Sequence, residues 1–297
     1  MTSFFDEISR NRLRSVLLMA LFSLIFFVFI YLFVEYLGGG PFAMVVGGIV
    51  IVGYALFSYF QGSKVVLAIS HAKKASKKDY PSLFSAVEGL SSASQIPMPE
   101  VYVINDPNPN AFATGRDRKH ASVAVTSGLL SMMDKNELQG VIAHEISHIY
   151  DNDIQFMMLA VVFAGVIGLL AGFIRTMFWF GAGGRRNGNG VILVVALVMS
   201  VVAPIMALLV RLAISRRREY MADANGARIT RSPASLASAL QKIQAYTSKP
   251  NAPPVAHAND MTAPLYFSNP LKKESFTNMF STHPPITERI KRLKEMY

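Results

Sequence analysis

The stretch DKNELQGVIAHEISHI, residues 134–149, predicts one amphipathic helix that carries a metal site. It opens with a capping box, Asp134 followed by Glu137, and apolar residues then recur at helical spacing. Residues four apart share one face of a helix, so His144 and His148 can bind one ion from adjacent turns. Glu145 lies one step around the helix, where its carboxylate can hold a metal-bound water and accept its proton. The pattern indicates a zinc hydrolase, and an ordinary helix that happens to carry two histidines is the alternative.

A catalytic zinc ion needs a third protein ligand and keeps one position open. The stretch REYMAD, residues 218–223, is the best donor in the sequence. Its two carboxylates, Glu219 and Asp223, lie four apart on a predicted helix, where they would repel each other mildly without a cation. Glu219 can bind the zinc, while Asp223 can accept a hydrogen bond from the outer nitrogen of a histidine ligand. A solvated acidic face paired with the arginines at 216–218 is the alternative.

The composition indicates a membrane protein. Of the 297 residues, 52% are hydrophobic, and the mean hydropathy is +0.33. Four windows without charged side chains are long enough to cross about 30 Å of hydrocarbon: 15–34, 41–60, 154–174 and 191–210. The first window is longer than the apolar core of a secretory signal, which is about 7 to 15 residues, so we expect it to stay as an anchor.

The charge pattern predicts that the catalytic region faces the cytoplasm. A Gly-Gly-Gly-Pro turn at 38–41 joins the first two windows into a hairpin, and basic residues at 10–14 and 64–78 flank it, as on the cytoplasmic side of a membrane. The third and fourth windows separate His148 from Glu219, so a shared metal site requires two crossings there or none. Two crossings are favoured. The alternative is a shallow hairpin, which the arginines at 175, 185 and 186 in the connecting loop favour.

Charge and cysteine content exclude several classes of protein. The net charge of +10 is explained by the membrane-flanking clusters and by contact with an anionic lipid bilayer, so no nucleic-acid partner is expected. The absence of cysteine excludes disulfides, thiol catalysis and cysteine-bound zinc, and it suits a reducing compartment. The histidines at 71, 120 and 257 lack the spacing of metal ligands.

The predicted fold class is an α-helical membrane protein with a small α+β zincin-like catalytic domain. Strands are expected at 100–104 and 121–126, and helices at 80–93 and within 284–296. Turns are expected at 105–115 and a long surface segment at 248–280. The chain divides into an N-terminal transmembrane hairpin at 1–62, a first catalytic part at 63–153, a second membrane hairpin at 154–212 and a second catalytic part at 213–297.

Several motifs, in this order, resemble one protease family. The pair HEISH and REYMAD is similar to the HExxH…ExxxD arrangement of the gluzincin metalloproteases. The two apolar hairpins, the stretch Asn110-Ala-Phe-Ala113 and the late Ser281-Thr-His-Pro-Pro285 resemble the HtpX family of bacterial membrane proteases. That family is related to the CAAX prenyl proteases, and the resemblance covers nearly the whole chain.

The resemblance implies a multi-pass zinc endopeptidase of the bacterial inner membrane that faces the cytoplasm, holds one Zn²⁺ per chain and serves in stress response and protein quality control. Its expected substrates are misfolded or damaged membrane proteins with unfolded cytoplasmic segments. The roles that it implies are metal ligands for His144, His148 and Glu219, general base for Glu145, support of a ligand histidine for Asp223, and substrate contacts for Asn110, Ala111 and Phe112. The strand at 121–126 would be the sheet edge on which the substrate backbone pairs.

Two residues have two interpretations each. His283 can hydrogen-bond the oxyanion of the reaction intermediate, or it can precede a helix that begins at the following prolines. Arg289 can clamp an acidic residue near the site, or it can lie on the surface.

Two other functions also stay open. One is a CAAX-type prenyl-peptide protease, and the other is a non-catalytic membrane chaperone or scaffold that zinc stabilises. The intact Glu145 argues against the scaffold, because a purely structural zinc needs no base.

Overall fold

The computed structural model describes residues 40–162, 216–249, 253–256, 258, 262–268, 270 and 284–296, with isolated helical positions between 13 and 31. Most of the first and third apolar windows, the whole of the fourth, and the arginine-bearing loop lie outside the described residues. His257 and His283 also lie outside them. The predicted two crossings and the predicted role of His283 therefore stay predictions.

The second apolar window forms part of one long helix, α1 (Gly40–Ile69). Its 30 residues rise about 45 Å at 1.5 Å per residue, more than the hydrocarbon thickness of a bilayer. Among the described residues it is the one helix long and apolar enough to cross a membrane. Large apolar side chains cover its surface in the first half, and Phe42 is 81% exposed. The helix predicted for 41–60 is confirmed, and it continues to Ile69.

A small mixed sheet follows α1 in the chain. Its strands are β1 (Lys73–Lys74), β2 (Glu100–Ile104), β3 (Ala111–Gly115) and β4 (Ala121–Thr126), in the spatial order β1-β2-β4-β3. Strands β2 and β4 are parallel, while β1 pairs with β2 and β3 pairs with β4 in antiparallel fashion. The predicted strands at 100–104 and 121–126 are confirmed.

Two predictions about this sheet are wrong. The strand at 121–126 is not an edge, because β2 and β3 pair with its two sides. The turn-rich stretch at 105–115 ends in a strand, β3, which is the outer strand of the described sheet next to β4. Every residue of β3 is buried, so pairing and burial outweigh the turn-forming residues that precede it.

Seven further α-helices lie among the described residues. They are α2 (Pro81–Ala93), α3 (Ser127–Met132), α4 (Lys135–Tyr150), α5 (Asp153–Val162), α6 (Arg216–Thr230), α7 (Pro233–Thr247) and α8 (Ile286–Lys294). The capping box of α4 is confirmed: the Asp134 carboxylate accepts the Glu137 N–H at 2.9 Å, and the Glu137 carboxylate accepts the Asp134 N–H at 2.9 Å. The predicted helices at 80–93 and within 284–296 are also confirmed.

Apolar side chains form two clusters, one on each face of the sheet. One cluster joins α2, α4, α6, α7 and α8 to one face of the sheet. The other joins α1 and α5 to the opposite face, through residues such as Phe112, Met158 and Tyr266. In the predicted surface segment at 248–280, residues 248, 249, 253, 254 and 256 are exposed as expected. The described side chains at 262–270 are buried, with Tyr266 and Phe267 each 1% exposed, so the prediction of a surface segment is wrong there.

Candidate metal centre

Three side chains from α4 and α6 converge in a buried position. The Nε2 atoms of His144 and His148 lie 3.1 Å apart. The Glu219 carboxylate approaches both, with Oε2 at 3.7 Å from Nε2 of His144 and Oε1 at 3.5 Å from Nε2 of His148. All three residues are at most 5% exposed, and one ligand atom from each lies within 4.8 Å of the others. Two imidazole nitrogens and one carboxylate oxygen are a donor set that suits catalytic zinc.

A glycine on α6 allows this convergence. A Cβ atom placed on Gly226 would lie 3.1 Å from the backbone nitrogen of His144 and 3.3 Å from the carbonyl carbon of Ala143. The backbones of α6 and α4 are therefore in close contact where they cross. That contact holds the first turn of α6, with Glu219, against the face of α4 that carries the two histidines.

Each histidine directs its other ring nitrogen to a buried carboxylate. Nδ1 of His144 lies 2.9 Å from Oδ1 of Asp223, as the sequence predicted, and Nδ1 of His148 lies 3.1 Å from Oδ2 of Asp153. With Nδ1–H donated to a carboxylate, the lone pair of each Nε2 faces the common centre. The two hydrogen bonds support the fit of the centre to a metal ion. Sequence reasoning missed Asp153, because a turn separates it from the helix and no helical spacing applies.

Arg289 clamps the carboxylate that holds His144. It is fully buried, and it donates from Nε to Oδ2 of Asp223 at 2.9 Å and from Nη2 to Oδ1 at 2.7 Å. Its Nη1 donates to the Phe267 carbonyl oxygen at 3.0 Å. Burial alone would raise the pKa of Asp223, but the charge of Arg289 and the hydrogen bond from His144 hold that pKa below its usual value. Of the two interpretations of Arg289, the acidic clamp is confirmed.

Glu145 has the environment of a general base. It is 2% exposed, and burial raises the pKa of its carboxyl group to about 7 against the opposing effect of the His148 charge. The nearby backbone N–H of Ala113 on β3 also acts to lower this pKa. In the metal-free centre this carboxyl group can therefore both accept and return a proton near neutral pH.

The two histidines differ in proton affinity when no metal is bound. Burial lowers the pKa of His144 to about 4. Burial also acts to lower the pKa of His148, but the hydrogen bond to Asp153 and the charge of Glu219 outweigh it and raise that pKa to about 9. The metal-free centre therefore carries its proton on His148, and a bound cation would displace it.

The three residues predicted to contact substrate lie at the start of β3 and are at most 2% exposed. The Asn110 side chain donates to the Ser268 carbonyl oxygen at 2.9 Å and accepts the Ser268 N–H at 3.2 Å. The Ala111 carbonyl oxygen accepts the Phe267 N–H at 2.8 Å, and the Phe112 ring packs edge-on against the Tyr266 ring. The structure thus places this stretch against the chain's own segment 266–268, and contact with a substrate stays a prediction.

Comparisons with known proteins show the family of the chain. Residues 77–297 match the model of peptidase family M48. The chain belongs to peptidase family M48. A protease HtpX homolog of Dictyoglomus thermophilum is 42% identical over 99% of this chain and 95% of its own length. Another, from Caldanaerobacter subterraneus, is 46% identical over 97% of this chain and 96% of its own length. The resemblance to the HtpX family is confirmed.

The fold of this M48 chain is similar to that of a solved structure. The crystal structure of S. mikatae Ste24p matches with a TM-score of 0.51 and 17% sequence identity. The match covers 89% of this chain and 62% of that chain. At this identity the likeness concerns the fold alone.

Proposed function

We propose that the chain is a zinc-dependent integral-membrane endopeptidase, with His144, His148 and Glu219 as the ligands of one Zn²⁺ and Glu145 as the general base. The observation that carries the proposal is the buried convergence of these three ligand atoms beside a carboxylate whose pKa is about 7. Membership of an M48 peptidase family supports it. The HExxH…ExxxD spacing and the contact between Asp223 and His144 support the same assignment.

Zinc, when bound, would polarise the scissile carbonyl and lower the pKa of a water molecule. Glu145 would accept the proton of that water and pass it to the leaving amine nitrogen. Arg289 would hold Asp223 in place, and Asp223 would hold His144. The close contact between α4 and α6 would keep the ligands together during the reaction. His283 would donate a hydrogen bond to the developing oxyanion.

The position of the centre in the chain supports a substrate close to the membrane. The α4 helix leads through a two-residue turn into the apolar helix α5, which packs against α1, the helix long enough to span a bilayer. We therefore propose that the substrates are misfolded or damaged membrane proteins that present unfolded cytoplasmic segments. Localisation in a bacterial inner membrane, with the catalytic part in the cytoplasm, and a role in stress-related quality control belong to the same proposal.

The outer strand β3 supports a mode of substrate binding. The backbone N–H of Ala113 is close enough to Glu145 to act on the pKa of its carboxyl group, so β3 passes beside the base. An unfolded segment that paired with this edge would bring its backbone to the metal centre. Among the described residues Phe267 pairs with Ala111, so we expect a substrate to pair with β3 beyond that residue.

The test is the pair Glu145→Gln and Ser147→Ala, made in the full chain and purified in mild detergent with zinc. Glu145→Gln keeps the size of the side chain but removes the base, and it should lower cleavage of an unfolded protein substrate by roughly 10² to 10⁴-fold while zinc stays stoichiometric. Ser147→Ala, which changes a buried hydroxyl bonded to the Ala143 carbonyl on the same helix, should keep near-normal activity. Activity of Glu145→Gln within tenfold of wild type would contradict the mechanism. A wild-type chain that binds zinc but does not cleave would favour the scaffold.

A further inference from the structure

The buried carboxylate of Asp153, on α5, contacts side chains from α4 and α6. Asp153 is the first residue of α5, it is 1% exposed, and its Oδ2 lies 3.1 Å from Nδ1 of the α4 residue His148. Its Oδ1 lies 3.7 Å from Nη1 of Arg218, which precedes the α6 residue Glu219. One proposed zinc ligand, His148, therefore contacts Asp153 directly. A second, Glu219, directly follows a residue that contacts Asp153.

The turn before Asp153 is shaped for this contact. Helix α4 ends at Tyr150, and Asn152 adopts a left-handed backbone conformation with φ of 57°. Asn is among the few residues other than Gly that adopt this conformation readily. The reversal returns the carboxylate of Asp153 to the last turn of α4, where the ring of His148 lies.

The chemistry of imidazole gives this hydrogen bond a specific effect. Neutral imidazole carries one proton, on either ring nitrogen, and the partner of one nitrogen decides which of them is free to bind a metal. Asp223 plays that part for His144, since it lies 2.9 Å from Nδ1. Asp153 has the same relation to His148, and no motif used to assign the site includes it.

We infer that Asp153 is a positioning residue of the metal centre, which holds His148 with Nε2 directed at the ion. The inference rests on the proposed zinc site. It also links that site to the apolar helices, because α5 packs closely on α1: a Cβ placed on Gly62 of α1 would lie 3.1 Å from Sδ of Met158 on α5. The orientation of one zinc ligand thus depends on the first residue of a helix that packs against the proposed membrane span.

The experiment measures zinc affinity by competition with a chelator, using the full chain in mild detergent. Asp153→Leu removes the acceptor, and zinc affinity should fall by about 10 to 100-fold. Asp153→Asn keeps an acceptor oxygen without the charge, so its zinc affinity should lie between those of Asp153→Leu and wild type. Asp151→Asn is the matched control: it neutralises another carboxylate that is 4% exposed in the same turn, and its affinity should stay within about threefold of wild type.

A second arm separates positioning from general support of the fold. His148→Ala lowers zinc affinity by itself, and adding Asp153→Leu to it should lower the affinity no further, because the ring that Asp153 orients is gone. A role in general stability would instead weaken binding equally in both backgrounds. That result, or wild-type affinity in Asp153→Leu, would overturn the inference. If Asp153→Leu does not fold, wild-type affinity in Asp153→Asn, equal to that of the Asp151→Asn control, would overturn it as well.

The outcome is distinct from failure of the proposed function. Failure of the proposed function shows in the wild-type chain, as absence of zinc binding or of zinc-dependent cleavage. Failure of the role of Asp153 shows in the variants, while wild type binds zinc and cleaves normally.

Discussion

Replacing Arg289 by Met should destabilise the metal-free chain by about 3 to 5 kcal/mol, because it breaks a buried ion pair from one side. The Arg289 side chain is 0% exposed and the Asp223 side chain is 3% exposed, so water cannot replace the two lost hydrogen bonds of 2.7 and 2.9 Å. The Phe267 carbonyl oxygen loses its donor as well. Arg289→Lys keeps the charge but lacks the planar guanidinium group that donates two hydrogen bonds to Asp223. Part of the loss in stability should therefore remain.

The assay is urea-induced unfolding in mild detergent without metal, followed by proteolysis of the unfolded fraction. A loss of 3 to 5 kcal/mol corresponds to roughly two to four decades in the unfolding equilibrium constant. The control is Lys291→Met, which removes an exposed cation from the same helix and should leave the unfolding midpoint unchanged. The double variant Arg289→Met with Asp223→Asn should be more stable than the sum of the single losses predicts, because the neutral amide no longer needs a counter-ion.

Two results would refute this reasoning. One is a loss below about 1 kcal/mol in Arg289→Met, which would mean that the carboxylate of Asp223 finds water or another cation. The other is strict additivity in the double variant, which would mean that the two side chains act independently.

Three further predictions concern the metal centre and the segments that pack around it. Glu219→Ala should abolish stoichiometric zinc binding in metal analysis, and full occupancy would show that another carboxylate is the third ligand. Gly226→Val should lower zinc affinity in chelator competition because its side chain would separate α6 from α4, whereas Gly89→Ala, with open space around its Cβ position, should not. Asn110→Ala should lower the free energy of unfolding by about 1 to 3 kcal/mol, since it leaves the buried backbone groups of Ser268 without their side-chain partner; unchanged stability with a raised KM would support the substrate contact instead.

The sequence alone was sufficient for the parts of the site that depend on local spacing. The capping box, the helical period and the two histidines of α4 all follow from a 3.6-residue repeat, which does not need the rest of the chain. The pairing of Glu219 with Asp223 follows from the same repeat on α6. Recognition of the family came from the order of several motifs and apolar hairpins along the chain, and the comparisons confirmed it.

Contacts between distant segments could not be derived in this way. Asp223 and Arg289 are separated by 66 positions, and Asn110 and Ser268 by 158, so no repeat links them. The sequence left two interpretations of Arg289 open, because an arginine is as suited to water as to a buried carboxylate. Only the docking of α8 on the catalytic unit decided between them.

The sheet shows the same division between local pattern and tertiary structure. Alternating valines at 121–126 predicted a strand, but strand order depends on which neighbours supply hydrogen bonds, and both sides of β4 are paired. Helical spacing could not identify Asp153, because Asn152 reverses the chain direction before it. The sequence by itself determined which residues could bind a metal ion. The tertiary structure decided which buried carboxylates hold those ligands in place, since a buried charge must find its partner wherever the fold brings one within reach.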